Sequence, residues 1–189
     1  MRRSIAVLCA LAALVFVGGC SSDRVEDQEG TVFLSVSDFD GLPVAASVNL
    51  LAGGGGGAAL LQVEQIVIQN LPRDPGAPTS DLQNVEMRSY EVVYTRADTG
   101  TRVPTPLVRT IFGVAPVGGT VTYDNLVVAA SEQLLNPPLS DLLFLNGAID
   151  SETGSQVMTV EFRIRFFGRT IAGDDIVTAP IRFDVEFTP

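Results

Sequence analysis

Carboxylates are the reactive groups this chain has in quantity. It carries 22 Asp and Glu against 12 basic residues, all of them arginine, and no histidine. Two short arrangements suit a hard cation. Asp38 and Asp40 stand at i and i+2 ahead of Gly41, the spacing that opens a calcium loop. The complete loop needs a third oxygen ligand and a glutamate near position twelve, whereas Asn49 and Leu50 stand there. A turn closed by Asx hydrogen bonds is the competing reading of the same residues. Asp174 and Asp175 follow Gly173 and invite the same two readings. Were the two loops to meet at one end of the fold, four carboxylates could share an ion.

Other chemistry is restricted by what the chain lacks. Without histidine, Ser-His-Asp and Cys-His arrangements are impossible in one chain, and the usual base near neutral pH is missing. The cysteines are Cys9 and Cys20. A carboxylate-based hydrolase remains conceivable, but spacing selects no pair among the 22 acids. The sequence therefore points away from an enzyme, and no cofactor is expected. Gly53 to Gly57 is a run of five glycines. It lacks the Lys-Ser/Thr ending of a phosphate loop and reads as a mobile hairpin loop. The net charge of −10 opposes binding to nucleic acid.

The elements that would position these groups begin with a leader. Arg2 and Arg3 precede the apolar run Ile5 to Val17, which small residues follow. That run is too short for a permanent span, which takes about 20 residues, and reads as a cleaved secretory signal. The stretch Val17-Gly18-Gly19-Cys20, followed by the polar Ser21-Ser22-Asp23, resembles the lipobox of a bacterial lipoprotein. Leu is the family's preferred residue where Val17 stands. The resemblance implies that the Cys20 thiol takes a diacylglyceryl group and that a peptidase cuts before it. It also implies that the new amine is open to acylation, by palmitate for example. Cys20 is then the lipidation site and the attachment to the membrane. Ser21 in the next position implies an outer-membrane rather than an inner-membrane destination. A plain secretory signal cut after a small residue is the alternative.

Three regions follow: a signal peptide over 1–19, the lipidated cysteine and a flexible acidic tether over 20–30, and a folded domain over 31–189. Loss of Arg2 and Arg3 with the leader would take the net charge from −10 to about −12. The folded region would hold no cysteine, hence no disulfide and no zinc thiolate site.

Within the folded region, alternating apolar residues predict strands over Thr31–Ser37, Leu60–Asn70, Val85–Thr95, Leu107–Val114 and Thr120–Ala129. The chain also rises again from Val44 to Leu51, after a turn at Asp38 to Gly41. Prolines flank Leu107–Val114 and place it near an edge. Ser131 to Leu145 reads as a crossover with short helical turns. The clearest pattern is the last hairpin, Met158–Phe166 with Ile181–Phe187. Pairing Phe162 with Ile181 sets Glu161 against Arg182. A two-residue shift sets Phe162 on Phe183 and Arg163 on Arg182. Charge pairing favours the first register, by about 0.2–1 kcal/mol per pair. Glu161, Arg163 and Arg165 form an outward stripe. Phe167 breaks the alternation and is either exposed or buried by a bulge.

About seven to nine strands without a substantial helix describe an all-β, antiparallel β-sandwich of immunoglobulin-like architecture. A closed barrel is the alternative. The expected role is a lipid-anchored, non-catalytic protein-interaction or structural module of the cell envelope, meeting an unidentified envelope protein. Three alternatives follow from particular features. Thr31–Ser37 could be a donated strand of a surface filament. A cleft with two close acids would make an envelope hydrolase. A barrel with a cavity would make a ligand carrier.

Overall fold

The computed structural model describes residues 30–53 and 59–189. The leader, Cys20, most of the tether, and residues 54–58 (the last four glycines of the run and Ala58) lie outside the described residues. Nine strands and two short helices follow in order: β1 (Val32–Asp40), β2 (Ala45–Ser47), α1 (Val48–Gly53), β3 (Leu60–Pro72), β4 (Val85–Arg96), β5 (Leu107–Ala115), β6 (Thr120–Ala130), α2 (Ser131–Leu134), β7 (Met158–Thr170), β8 (Asp175–Val177) and β9 (Ile181–Thr188). Turns of 3-10 helix cover Asp81–Gln83, Leu139–Leu142 and Phe144–Asn146.

The strands form two separate sheets rather than a closed barrel. One has the order β1-β3-β6, the other β2-β9-β7-β4-β5, with β8 also pairing β7. Naming these A-B-E and A′-G-F-C-C′ reproduces the immunoglobulin-like strand order. Every pairing is antiparallel except that of β2 with β9. The inner faces carry the apolar half of each alternation. Ile66 and Ile68 of β3 and Phe162, Phe166 and Phe187 of the larger sheet are fully buried. Phe162 meets Tyr94 edge-on at 5.0 Å and stacks on Phe183 at 5.2 Å. Two tyrosines of β4 tie the sheets together. Tyr90 donates its hydroxyl to the carbonyl of Val127, and Tyr94 to that of Val128, each at 2.7 Å. Burial pushes both hydroxyls up in pKa, so they stay protonated donors.

The last hairpin takes the register that its charges disfavour. Phe162 pairs with Phe183, Arg163 with Arg182 and Glu161 with Asp184. The turn decides this. Thr170 donates to the carbonyl of Asp174, and Gly173, at φ +108°, donates to the carbonyl of Thr170, which fixes Arg169 opposite Asp175. Between Val177 and Ile181 the returning strand then holds one residue more than β7 does. Pro180, which has no N–H, sits within that bulge. The like charges are relieved along the strand, where Arg163 Nε donates to Glu161 Oε1 at 2.7 Å.

Two other expectations are corrected. Asp38-Phe39-Asp40 is not a turn: β1 continues through these residues, paired with Val67, Ile66 and Gln65, after a bulge at Ser37. The rise from Val44 to Leu51 is a strand only over Ala45–Ser47. There the Ser47 hydroxyl accepts the Leu50 N–H at 3.4 Å and starts α1. Leu107–Ala115 is an edge strand as expected, and 131–157 carries the chain from one sheet to the other.

Strand direction gives the domain two distinct ends. Gly30 sits beside Ile176 and Asp174, at the end where β3 and β7 finish. The crossover leaves β6 and joins β7 at the opposite end, about 40 Å away along the 13 residues of β7.

Candidate functional site

The far end is built around Arg96, the last residue of β4. Its side chain is only 2% exposed and that of Asp150 in the crossover is wholly buried. A buried guanidinium demands acceptors for its fixed fork of donors. Asp98 supplies two, with Nε to Oδ1 and Nη2 to Oδ2 both at 2.7 Å. Asp150 Oδ2 accepts from Nη2 at 2.9 Å, and the Arg102 carbonyl from Nη1 at 3.4 Å. Glu152 completes the ring, 3.9 Å from Nη1.

Each acid is itself fastened to backbone. Asp98 accepts the N–H groups of Gly100 and Thr159. Glu152 accepts those of Thr101 and Arg102 and the Thr101 hydroxyl. Asp150 accepts from Thr153 Oγ1 at 2.7 Å and from the Glu152 N–H. Arg102 then reaches Asp141 and Ser151. A Cβ on Gly100 would come within 2.4 Å of the guanidinium carbon, so only glycine fits against this face of Arg96.

Burial works to raise the carboxyl pKa of Asp150, but hydrogen bonds from Thr153 and Arg96 outweigh it and bring the value down to about 2. Asp98 is opposed by burial in the same way and is lowered by Arg96 and by two backbone N–H groups. Hydrogen bonds from Thr101 and Arg102 lower Glu152. All three acids are therefore charged at neutral pH, and Arg96 sits among them as counter-ion. With its donors taken up, Arg96 clamps the β4–β5 loop to the crossover.

Beside this base the crossover exposes Leu145, at 98%, and Phe144, and α1 exposes Leu50. Asn49 of α1 stitches them into place. Its Nδ2 donates to the Leu142 carbonyl at 3.2 Å and its Oδ1 accepts the Phe144 N–H at 3.0 Å. The arrangement presents an ordered apolar tip fixed to the sandwich, a surface suited to contact rather than to proton transfer.

The residues singled out from sequence lie elsewhere. Cys20 is outside the described residues. Asp38 and Asp40 are exposed near the far end of β1. Asp174 and Asp175 occupy the β7–β8 turn beside Gly30, about 25 Å from Asp38 by strand length. The two pairs therefore do not meet. Among the described residues no three His, Cys, Asp or Glu side chains are grouped to hold a metal ion. Asp174 instead closes its turn, accepting from Thr170 Oγ1 at 3.4 Å and from the Thr170 N–H through its carbonyl. Glu161, Arg163 and Arg165 lie on the outer face of β7. Phe167 keeps that face and is half-buried, without a bulge in its own strand.

Sequence reasoning missed the Arg96 cluster. Its signals were present as Asp98-Thr99-Gly100 and Asp150-Ser151-Glu152-Thr153-Gly154, two acidic turn sequences some fifty residues apart. Nothing in either says that a strand-end arginine would join them. Compared with family models, with curated proteins and with solved structures, the chain matches none.

Proposed function

We propose that this chain is a lipid-anchored, non-catalytic interaction module of the bacterial cell envelope. It is held through Cys20 and engages a protein partner with the crossover end. The observation that carries this reading is the polarity of the domain. The chain coming from Cys20 joins at Gly30, beside the β7–β8 turn, whereas the clamped apolar tip of Leu50, Phe144 and Leu145 sits at the opposite end. A tether at one end and a rigid apolar surface at the other suit presentation away from a membrane. The lipobox resemblance supplies the anchor, and Ser21 favours the outer membrane.

Two measurements test the parts separately. Metabolic labelling with palmitate should mark the full-length chain and not Cys20→Ala, and the variant should leave the membrane fraction. Label retained by Cys20→Ala would refute the anchor. A photo-crosslinker at Leu145 should trap one consistent envelope protein in intact cells, while one on the outer face at Glu186 should not. Equal, diffuse adducts from both positions would refute the role of the tip.

A further inference from the structure

We infer that the flank of the sandwich between β5 and β6 binds a short peptide by its two free ends, the carboxylate at Arg109 and the amino group at Glu132. This goes beyond the proposed role and depends neither on the apolar tip nor on Cys20. β5 is an edge of the larger sheet and β6 an edge of the smaller one, so no strand closes this side. Near Gly113 the side is filled by Tyr123, whose hydroxyl would lie 2.8 Å from a Cβ placed there. Towards the crossover it opens into a cleft of about 580 Å³, within the usual size of small-ligand sites.

Leu60, Pro106, Leu107 and Ala130 give the cleft aliphatic walls. Arg109 stands towards its tether end and Glu132 towards the crossover. Arg109 takes an inward position on β5, opposite the buried Tyr90. The tyrosines of β4 sense both charges. Burial raises the pKa of the Tyr90 hydroxyl and the Arg109 cation opposes it. Burial first, then Tyr90 and Glu132, raise that of Tyr94. Among the described residues neither Arg109 nor Glu132 has a side-chain hydrogen bond or an ion pair.

The two walls are fixed before any ligand arrives. Gln133 is 1% exposed. Its Oε1 accepts the Ala130 N–H at 3.1 Å, and its Nε2 donates to the Thr105 carbonyl at 3.3 Å. The Ser131 hydroxyl accepts the Ala59 N–H at 3.1 Å, next to Leu60. The turn that carries Glu132 is thus stapled both to the segment before β5 and to the start of β3. Such preorganisation spares a ligand the cost of ordering its site. Opposite charges held apart along one apolar cleft, each without a partner, complement a zwitterion with an apolar body. A lone cation or anion would satisfy one end and leave the other unmatched, whereas a short peptide with free termini meets both. An inward charge can also serve only to guard an edge strand, and a guard binds nothing.

Calorimetric titration of the full chain with the free tripeptide alanyl-leucyl-alanine tests this. Saturable binding is expected at low ionic strength. Acetylating the amino group of the tripeptide, or amidating its carboxylate, should each weaken binding about fivefold, the most that a solvent-accessible ion pair contributes. Arg109→Gln should weaken the free tripeptide by a similar factor and bind it no better than its amide. Glu132→Gln should likewise bind it no better than its acetylated form. Both side chains are exposed, so neither replacement should move the melting temperature. Absence of saturation up to about 10 mM would overturn the site and leave Arg109 as an edge guard. Blocked tripeptides that bind as well as the free one would overturn recognition of the termini, as would variants that keep the wild-type preference.

Discussion

The two ends of the sandwich are each pinned by one buried polar residue near the end of a strand, and the two pins differ in charge. At the tether end, Asn70 of β3 is fully buried. Its Nδ2 donates to the carbonyls of Gln83 and Ala115, and its backbone bonds Gly118 and Gly119. Its Oδ1 has no hydrogen-bond partner among the described residues. At the far end, Arg96 is held by carboxylates that are themselves bonded to two loops. A neutral amide fixes a tight turn and is indifferent to pH. A cation among three anions fixes a long crossover and depends on every one staying charged. The lesson is that loop length sets the pin: the 27 residues between β6 and β7 need a multidentate centre, where the four-residue turn after β5 needs one amide.

The contrast is broken most severely by Arg96→Leu. Three acids would lose their counter-ion, and stability should fall by about 3–5 kcal/mol, read as a lower urea midpoint. Acid should act next. The folded-state pKa values of Asp150, Asp98 and Glu152 are depressed, so their stabilisation is present above the unfolded carboxylate range of about 4 and is lost as pH falls through the folded-state values, about 2 for Asp150 and below the ordinary range for the other two. Hydrogen exchange, corrected for intrinsic rate, should show the Thr159 amide losing protection over that window while the Gly118 amide keeps it. In Arg96→Leu the acid loss should be smaller, because the depressing partner is gone. Asn70→Ala should cost about 1–2 kcal/mol, since it strands the buried Ala115 carbonyl and the part-buried Gln83 carbonyl, and its cost should be the same at pH 7 and pH 3. The smallest effect belongs to Glu152→Gln, which keeps an acceptor for Thr101. It should shift the melting temperature least of the three variants while removing part of the acid sensitivity.

Much of the fold was legible because burial on one face writes period two into a strand. β3, β4 and β6 begin and end within about two residues of their apolar alternation, and β7 begins with its own but runs four residues past it, to Thr170. Legibility failed where side chains override the pattern. Asp38 and Asp40 look like a turn, yet strand pairing with β3 carries β1 through them. Ser47 converts a strand reading into α1. For the last hairpin both registers bury the same face, so the alternation was silent and the weak charge term pointed the wrong way. The turn at Gly173 and the bulge at Pro180 settled it.

The sequence by itself determined the all-β class, the edge position of β5, and Cys20 as the residue whose setting resembles a lipidation site. These depend on neighbours along the chain: alternation, flanking prolines, a short apolar run before small residues. Only the tertiary structure decided that Arg96, Asp98, Asp150 and Glu152 form one centre, that the two aspartate pairs stand apart, and that Gly30 and Leu145 lie at opposite ends. Those are relations between residues distant in sequence, created when strand order and register bring separate loops to one end of a sandwich. Local periodicity carries no information about which end that will be.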